Sequence, residues 1–162
     1  MKTLIIIRHA KAETTFTLND FERTLNDRGK TDAPVMAKRL HKKIKIDAFV
    51  SSPAKRTKKT AEFFAEAYGI DEKDIIYVSA LYQAPASTFF ETVSQLNDHF
   101  NSVAIVAHNP GITNFANELT PEANLDNMPT CSVFAVQAEV DSWSAFGKAK
   151  RKFLFFDYPK NT

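Results

Sequence analysis

Four consecutive apolar residues near the amino terminus lead directly into an arginine and a histidine. The apolar run extends from Leu4 to Ile7, and Arg8 and His9 follow it without a break. An apolar run this short, bounded by polar residues, is typical of a β-strand that is buried on both faces of a sheet. The cation and the imidazole are therefore expected at the carboxyl end of that strand. In open α/β sheets, this edge is where ligands bind.

Strand-like and helix-like segments alternate along the 162 residues, which predicts an α/β fold with βαβ units and a mainly parallel sheet. A chain of this length suits one domain with a substantial core, so we expect residues 1–162 to form a single domain. The last two strands alternate in polarity, which favours antiparallel edge strands. The predicted strands cover about residues 3–7, 47–50, 75–78, 103–107, 131–139 and 151–157, and the predicted helices about residues 26–43, 52–69 and 86–99, with a fourth from residue 109.

Capping residues indicate where several helices begin. Asn26 is expected to cap the first helix, and a polar residue followed by proline opens two later ones, at Ser52 and at Asn109. Pro34 falls inside the first helix, where its ring clashes with the preceding turn, so we expect a kink or a second start there. The loop of residues 11–25 is long enough to suggest a function.

Composition and charge narrow the class of protein. The net charge of +2 is smaller than the basic excess typical of nucleic-acid binders, so no nucleic-acid partner is expected. No apolar run approaches the roughly 20 residues that span a bilayer, and the chain starts with a core strand rather than a signal peptide. We therefore expect a cytoplasmic protein without a membrane partner. The single cysteine, Cys131, excludes an internal disulfide and a cysteine-based zinc site, and its surroundings favour a small buried side chain.

Three predicted strands end in residues suited to phosphate. Arg8 and His9 follow the first strand, Arg56 lies just beyond the second, and His108 follows the strand at 103–107. At one edge of a parallel sheet these side chains converge on a single pocket. Helix N-termini after two of the strands, one of them beginning at Asn109, direct N–H groups toward the same edge, and both helix N-termini and arginines bind phosphate oxygens. The residues themselves thus predict a pocket for a phosphoryl group.

Each of these residues also has a structural interpretation. Arg56 belongs to the basic run of residues 55–59, and such runs are usually solvated, although helical spacing places Arg56 on the inward face. A single histidine is more often a hydrogen-bonded structural residue than a catalyst. A metal site on His9 and His108 has no carboxylate at ligand-like spacing and two arginines that repel the ion. We therefore expect no metal and no cofactor.

Two histidines and two arginines together favour nucleophilic phosphoryl transfer. A neutral imidazole attacks phosphorus in line and forms a phosphohistidine intermediate. The arginines and a second, protonated histidine stabilise charge on the equatorial oxygens. Water then hydrolyses the intermediate and restores the free histidine.

Three motifs around these residues carry a family resemblance. They read Ile5-Ile6-Ile7-Arg8-His9-Ala10, Val50-Ser51-Ser52-Pro53-Ala54-Lys55-Arg56-Thr57 and Ala107-His108-Asn109-Pro110-Gly111. Their order and spacing resemble the histidine phosphatase superfamily over nearly the whole chain. The resemblance implies a phosphoglycerate mutase-like, three-layer α/β/α sandwich with a mainly parallel central sheet. It implies that His9 is the nucleophile and His108 the second catalytic histidine. Arg8 and Arg56 would clamp the phosphoryl group.

Within that superfamily, the short chain without insertions looks most like the SixA type of phosphohistidine phosphatases. Residues 8–12 and 23–29 are similar to that subgroup. By this resemblance Arg23 reaches the phosphate from the loop; the alternative is a surface arginine that holds the loop. We also expect Asn109 to contribute to substrate binding.

The segment that carries the general acid in larger members of the superfamily has no carboxylate here. Residues 79–84 read Ser-Ala-Leu-Tyr-Gln-Ala. A phosphate ester leaves as a poor alkoxide and needs an acid, whereas a phosphoramidate can leave as neutral imidazole once its nitrogen is protonated. The absence favours a P–N substrate, although Asp20 or Glu22 on the loop remains a possible source of the proton.

These observations predict a metal-independent phosphatase that works through a phosphohistidine intermediate and dephosphorylates phosphohistidine in a protein. Two alternatives stay open: a phosphatase for small-metabolite phosphate esters, and a non-catalytic phosphate-binding regulatory module. A mutase is least favoured, because the chain lacks insertions that enclose a second phosphate. The expected partner is the phosphorylated substrate alone, and we expect a monomer.

Overall fold

Six β-strands form one sheet in the computed structural model, which describes residues 1–14, 17 and 19–161. The strands are β1 (Lys2–Arg8), β2 (Ala48–Ser51), β3 (Ile76–Tyr77), β4 (Ser102–Ala107), β5 (Val133–Ala138) and β6 (Arg151–Asp157). The α-helices are α1 (Asp27–Lys43), α2 (Lys55–Ala67), α3 (Ala86–Ser94) and α4 (Gly111–Leu119). Short 3₁₀ helices cover Asp20–Glu22, Glu72–Asp74, Ser79–Leu81 and Trp143–Lys148. None of the described helices is long and apolar enough to cross a membrane.

The sheet is mainly parallel, as predicted. Its strand order is β3-β2-β4-β1-β5-β6, and the first four of these strands pair in parallel. β5 pairs antiparallel with β1, and β6 pairs antiparallel with β5. The antiparallel pairing of the last two strands is confirmed, but β5 lies inside the sheet, so β6 is the edge strand of this pair. β5 carries an almost continuous buried pattern because it has a partner on each side.

The side chains of β1 alternate between two hydrophobic cores. Leu4 and Ile6 pack in the core beneath α3 and α4, whereas Ile5 and Ile7 pack in the core beneath α1 and α2. All four side chains are fully buried. A strand covered by helices on both faces needs apolar residues at every position, which explains the unbroken run and confirms the three-layer α/β/α arrangement.

The first helix begins where its capping residue predicts. The Asn26 side-chain oxygen accepts a hydrogen bond from the Gly29 N–H at 2.9 Å. The helix then continues through Pro34 to Lys43, so Pro34 does not mark a second start. A missing N–H at this position leaves one helical carbonyl without its usual donor.

The next predicted caps are wrong, by two residues for Ser52 and by one residue for Asn109. α2 begins at Lys55 with Ala54 as its N-cap, and α4 begins after Pro110. Neither helix has a side-chain cap. Ser52 and Asn109 are therefore not N-caps, because their side chains are engaged in the site described below.

Two further elements are shorter than predicted. β3 contains only two residues, and α3 ends at Ser94 rather than near His99. After α3 the chain turns so that the backbone oxygens of Asp98 and Phe100 accept hydrogen bonds from the buried Lys2 ammonium, at 2.6 and 2.9 Å. In a continuing helix these carbonyl oxygens would accept helical hydrogen bonds instead, so the turn leaves them available to the Lys2 ammonium.

The predicted loop of residues 11–25 folds back on itself. The Glu13 N–H donates to the Thr24 oxygen at 2.8 Å, and the turn at Asp20–Glu22 lies between them in sequence. Residues 15, 16 and 18 of the predicted loop lie outside the described residues. The closed base of the loop holds the 3₁₀ turn near the carboxyl edge of the sheet.

Replacing Gly111 with alanine is expected to destabilise the fold. A Cβ atom there would lie 1.8 Å from the Ala84 carbonyl oxygen, so the backbone at the start of α4 has to move. We expect a loss of about 1–3 kcal/mol in the free energy of unfolding, measured by urea denaturation. The control is Gly147→Ala, whose Cβ would meet Phe90 at an ordinary 3.7 Å. Equal stability of the two variants would contradict this expectation.

Candidate active site

Backbone hydrogen bonds continue beyond the strand ends and place the predicted site residues side by side. The His9 N–H donates to the Ala107 oxygen, and the Ser52 N–H donates to the Val106 oxygen, both at 3.1 Å. His108 directly follows Ala107 in the chain. The ends of β1, β2 and β4 therefore present their next residues at one edge of the sheet, as the parallel topology requires.

All six residues predicted for the site line one cavity of about 370 Å³. They are Arg8, His9, Arg23, Arg56, His108 and Asn109. Other lining residues are Lys11, Ala12, Asp20, Gln83 and Thr130. Four cationic side chains and one carboxylate surround this space, so the cavity favours anions.

His9 is held in one tautomer by its own neighbour. Its Nδ1 lies 2.7 Å from the Ala10 carbonyl oxygen, which can only accept, so Nδ1 carries the proton. Burial lowers the pKa of His9 to about 3, assisted by the charges of His108, Arg56 and Arg8. Near neutral pH the imidazole is therefore uncharged, and Nε2 keeps its lone pair. This is the protonation state that a histidine nucleophile needs.

His108 lies against His9, with 5.5 Å between the ring centroids. Its Nε2 is 2.8 Å from the Ser52 hydroxyl oxygen, and its buried Nδ1 has no hydrogen-bond partner among the described residues. Burial and the charge of Arg56 lower the pKa of His108 to about 4. The second histidine is thus neutral in this arrangement, whereas the sequence predicts a protonated one, because burial disfavours its charged form and Arg56 already supplies positive charge beside it.

The two arginines predicted to clamp the phosphoryl group each keep a buried donor that a phosphoryl oxygen could accept from. Arg56 is only 4% exposed, whereas lysines 55, 58 and 59 are exposed, so Arg56 does not belong to a solvated basic face. Arg8 donates through Nη1 to the Met128 oxygen at 2.8 Å. The Nε atoms of both arginines are buried and have no partner among the residues described. A buried donor without an acceptor costs about 1–3 kcal/mol, which suits these atoms to an oxyanion.

Asp20 is the carboxylate of the cavity, and it accepts hydrogen bonds from two arginines and a tyrosine. Arg56 donates from Nη2 to the Asp20 carboxylate at 2.8 Å and from Nη1 to its backbone oxygen at 2.6 Å. Arg23 donates through Nε and Nη2, at 3.1 and 2.9 Å, and the Tyr82 hydroxyl donates at 2.6 Å. Burial would raise the pKa of this carboxyl, but these hydrogen bonds outweigh burial and hold it well below the usual range.

The other two predicted residues, Arg23 and Asn109, line the cavity and are also bonded to neighbouring residues. Arg23 lines the cavity and also bonds the loop through Asp20 and the Glu13 oxygen, so both of its interpretations describe real contacts. Asn109 lines the cavity while its side chain bonds Thr113 and the Met128 oxygen. It is pinned by these contacts instead of capping α4.

Glu22, the other loop carboxylate considered as a proton source, lies elsewhere. Its carboxylate pairs with Lys55 at 3.1 Å, and it does not line the cavity. Within residues 1–14, 17 and 19–161, no three His, Cys, Asp or Glu side chains are grouped so that they could hold a metal ion.

Cys131 supports the site through its backbone. Its N–H donates to the backbone oxygens of Arg8 and His9 at 3.1 and 3.0 Å, and its φ of 62° is in the left-handed region. The thiol is buried, which raises its pKa, so the expectation of a small buried side chain is confirmed.

Two side-chain contacts of the site do not follow from the sequence patterns. Ser52 has the pattern of a helix cap, but its hydroxyl bonds His108. Tyr82 lies in the segment of residues 79–84, where the resemblance leads one to expect a carboxylate, and its hydroxyl bonds Asp20. A hydroxyl just after the short third strand was the available signal in that segment.

The histidine at position 9 makes the stability of the fold depend on pH. Its folded pKa is about 3 and its ordinary value about 6.5, so below pH 6.5 the unfolded chain takes up a proton that the folded chain does not. Unfolding is then favoured by at most about 1.4 kcal/mol per pH unit for this group. When the pH is lowered from 7 to 5, the free energy of unfolding measured by urea denaturation should fall less for His9→Asn than for the wild type. The expected difference between the two decreases is about 1–2 kcal/mol. The exposed His99 provides the control variant His99→Asn, and parallel pH profiles of wild type and His9→Asn would refute this expectation.

Comparison with known proteins gives a family and a set of similar folds. Residues 4–81, just under half of the chain, match the histidine phosphatase superfamily (branch 1). That segment contains Arg8, His9 and Arg56. None of the curated protein sequences compared with the chain is similar enough to count as a relative.

Several solved structures share the fold over nearly the whole chain. The SixA protein from Agrobacterium tumefaciens is 24% identical, with 98% of each chain covered and a TM-score of 0.82. A protein histidine phosphatase SixA complexed with tungstate is 20% identical, with 98% of each chain covered and a TM-score of 0.83. A mycobacterial glucosyl-3-phosphoglycerate phosphatase is 16% identical, with 94% of this chain and 96% of that chain covered and a TM-score of 0.73.

The segment match includes the strand that ends in Arg8 and His9, and the shared fold extends over both helical layers. His108 completes the cavity from β4, beyond the matched segment. Residues 4–81 thus match the histidine phosphatase superfamily, and the whole chain shares its fold with solved phosphatase structures.

Proposed function

We propose that the chain is a phosphatase of the histidine phosphatase superfamily, that His9 is its nucleophile and that its substrate is phosphohistidine in a protein. His9 Nε2 attacks phosphorus, a new P–N bond forms, and the bond to the substrate imidazole breaks with its electron pair remaining on that imidazole. Water then attacks the phosphoryl-His9, inorganic phosphate leaves, and Nε2 regains its lone pair. The observation that carries this proposal is the bond from His9 Nδ1 to the Ala10 oxygen, which leaves Nε2 as the reactive atom.

The charged and polar groups around His9 have complementary roles in this proposal. Arg8 and Arg56 offer buried Nε donors to the phosphoryl oxygens, where arginine forms strong charge-assisted bonds. His108 Nδ1 is the third buried atom without a partner among the described residues, and it lies on a ring adjacent to His9. A bound phosphoryl dianion favours protonation of His108, which converts it into a cationic donor when charge develops.

Two observations support a P–N substrate. Residues 79–84 contribute Tyr82 and Gln83 near the cavity and no carboxylate that could protonate an alkoxide. The SixA proteins, described as phosphohistidine phosphatases, have TM-scores of 0.81 to 0.83 to this chain, against 0.73 for the glucosyl-3-phosphoglycerate phosphatase. The cavity is large enough for a phosphoryl group and an imidazole, and it needs no second anion site.

We propose that residues 1–162 form one catalytic domain and that the protein works as a monomer. One sheet unites the described part of the chain, and the site takes residues from its beginning, middle and second half. Large apolar side chains with substantial exposure are few among the described residues: Met1, Val35, Ile76 and Tyr77. Single exposed apolar residues of this kind are normal for a monomer surface.

Replacing His9 with alanine is expected to abolish turnover. Without the nucleophile, kcat for a para-nitrophenyl phosphate substrate should fall by about 10³-fold or more, because only binding and charge stabilisation remain. The matched control is His99→Ala, an exposed histidine outside the cavity, which should keep full activity. Retention of activity by His9→Ala would reject the assigned nucleophile.

The substrate class has its own measurement. Wild-type enzyme incubated with a phosphohistidine-bearing protein and, separately, with a panel of sugar phosphates should release phosphate faster from the protein. Labelled phosphate should be trapped on His9 after rapid quenching. Preference for a sugar phosphate would favour the metabolite alternative, and tight phosphate binding without labelled His9 would favour a regulatory module.

A further inference from the structure

The Asp20 carboxylate accepts hydrogen bonds from two arginines and a tyrosine, which keep it ionised and hold it in one position. Arg56, Arg23 and Tyr82 together donate four hydrogen bonds to its carboxylate, and Arg56 donates a fifth to its backbone oxygen. Two of these partners are permanently charged arginines. A carboxyl group in this setting gives up its proton readily and does not recover it near neutral pH. It is therefore a poor general acid.

The depth of the groups in the cavity shows which part of a substrate meets Asp20. The Asp20 side chain is 40% exposed, whereas the Arg56 side chain is 5% exposed and His9 is 7% exposed. The phosphoryl group has to lie against the deep residues for His9 to attack it. In an in-line displacement the leaving group lies opposite the nucleophile, which is toward the open side of the cavity. Asp20 lines that outer part.

We propose that Asp20 accepts a hydrogen bond from the protonated imidazole of a phosphohistidine substrate and thereby selects P–N compounds over phosphate esters. This inference rests on the proposed function and names the group that recognises its leaving group. In N-phosphohistidine one ring nitrogen is bonded to phosphorus and the other can carry a proton. That N–H donates to the Asp20 carboxylate in place of the neutral Tyr82 hydroxyl, because the four hydrogen bonds from Arg23, Arg56 and Tyr82 already fill the acceptor sites of the carboxylate.

The chemistry balances without a proton donor from the protein. When the P–N bond breaks, its electron pair goes to the ring nitrogen that was bonded to phosphorus. The proton stays on the other ring nitrogen, so the cationic imidazole leaves as neutral imidazole. Stabilising the protonated substrate is what Asp20 contributes, and a carboxylate that stays ionised does this best.

An ester gains nothing from the same arrangement. Its leaving oxygen carries no proton and develops negative charge, which requires a donor. Asp20 has no proton to give while Arg56, Arg23 and Tyr82 surround it, and Glu22 is paired with Lys55 outside the cavity. The ionised carboxylate therefore favours one substrate class through its charge.

Arg56 can serve Asp20 and the phosphoryl group together. Its two Nη atoms bond Asp20, while its buried Nε has no partner within the described part of the chain. Arg56 thus holds the loop carboxylate through its Nη atoms and keeps its Nε donor for the phosphoryl group. This geometry couples the position of the leaving-group contact to that of the phosphoryl clamp.

Asp20→Asn tests the inference because it removes the negative charge and retains the shape of the side chain. We expect the ratio of kcat/KM for phosphoimidazole to kcat/KM for para-nitrophenyl phosphate to fall about tenfold to a hundredfold, the worth of one hydrogen bond to a charged group. Para-nitrophenolate leaves without a proton, so it reports the loss common to both substrates, including any shift of Arg56. Asp20→Glu keeps the charge and should restore part of the ratio, and Glu22→Gln, an adjacent charge change outside the cavity, should not alter it.

The pH dependence provides a second readout. The charged and titratable groups that face Asp20 are Arg56 from α2, Arg23 from the loop, Tyr82 from the segment after β3, and His108 from the end of β4. Asp20 stabilises protonated substrate, so wild-type activity on phosphoimidazole should persist to higher pH than that of Asp20→Asn. With para-nitrophenyl phosphate as substrate, the activity of the two enzymes should decline over the same alkaline pH range.

The outcomes separate this inference from the proposed function. If Asp20→Asn lowers activity on both substrates equally and moves neither pH limb, Asp20 only positions Arg56 and the inference is overturned. If wild-type enzyme turns over para-nitrophenyl phosphate but neither phosphoimidazole nor a phosphohistidine protein, the proposed substrate class fails and the inference fails with it. A lower ratio with a displaced limb supports both.

Discussion

The parallel pairing of β1 with β4 is the constraint on which the site depends. It places Arg8 opposite Ala107, so the residues that follow each strand emerge at the same height. Because β1 is buried on both faces, a shift of one residue in register would move its apolar side chains to the wrong core. The same burial that fixes the register therefore fixes the 5.5 Å approach of the two histidine rings.

Several positive charges lie close together in the cavity, and one of them, Arg56, is almost fully buried. Arg56 and Arg8 lie beside two histidines, and the protein meets the cost by keeping both imidazoles neutral and by supplying one carboxylate. A group of fixed donors that needs no reorganisation is how enzymes stabilise charge in a transition state. Asp20 balances these cations from the loop, whereas the strands contribute only donors and imidazoles.

Residues whose role follows from periodicity were predictable from the sequence. The apolar run at β1 and the inward position of Arg56 are set by alternation and helical spacing, and the structure has both. Ser52 and Asn109 have the local pattern of helix caps, and only the three-dimensional proximity of His108 and Met128 shows why their side chains are used differently. Asp20 and Tyr82 lie 62 residues apart on irregular segments. No periodic signal connects such positions, so their contact could not be deduced.

The central position of β1 has a consequence for how the chain is made. β1 is synthesised before both of its partners, residues 102–107 on one side and residues 133–138 on the other. Because β2 and β3 are also made before these partners, β1 has no neighbouring strand to pair with until residues 102–107 have been synthesised. Contacts this distant in sequence slow folding and expose hydrophobic strands to other chains in the meantime. The arrangement that places Arg8 and His108 at a single sheet edge thus leaves β1 without both of its neighbours until residues 133–138 have been made.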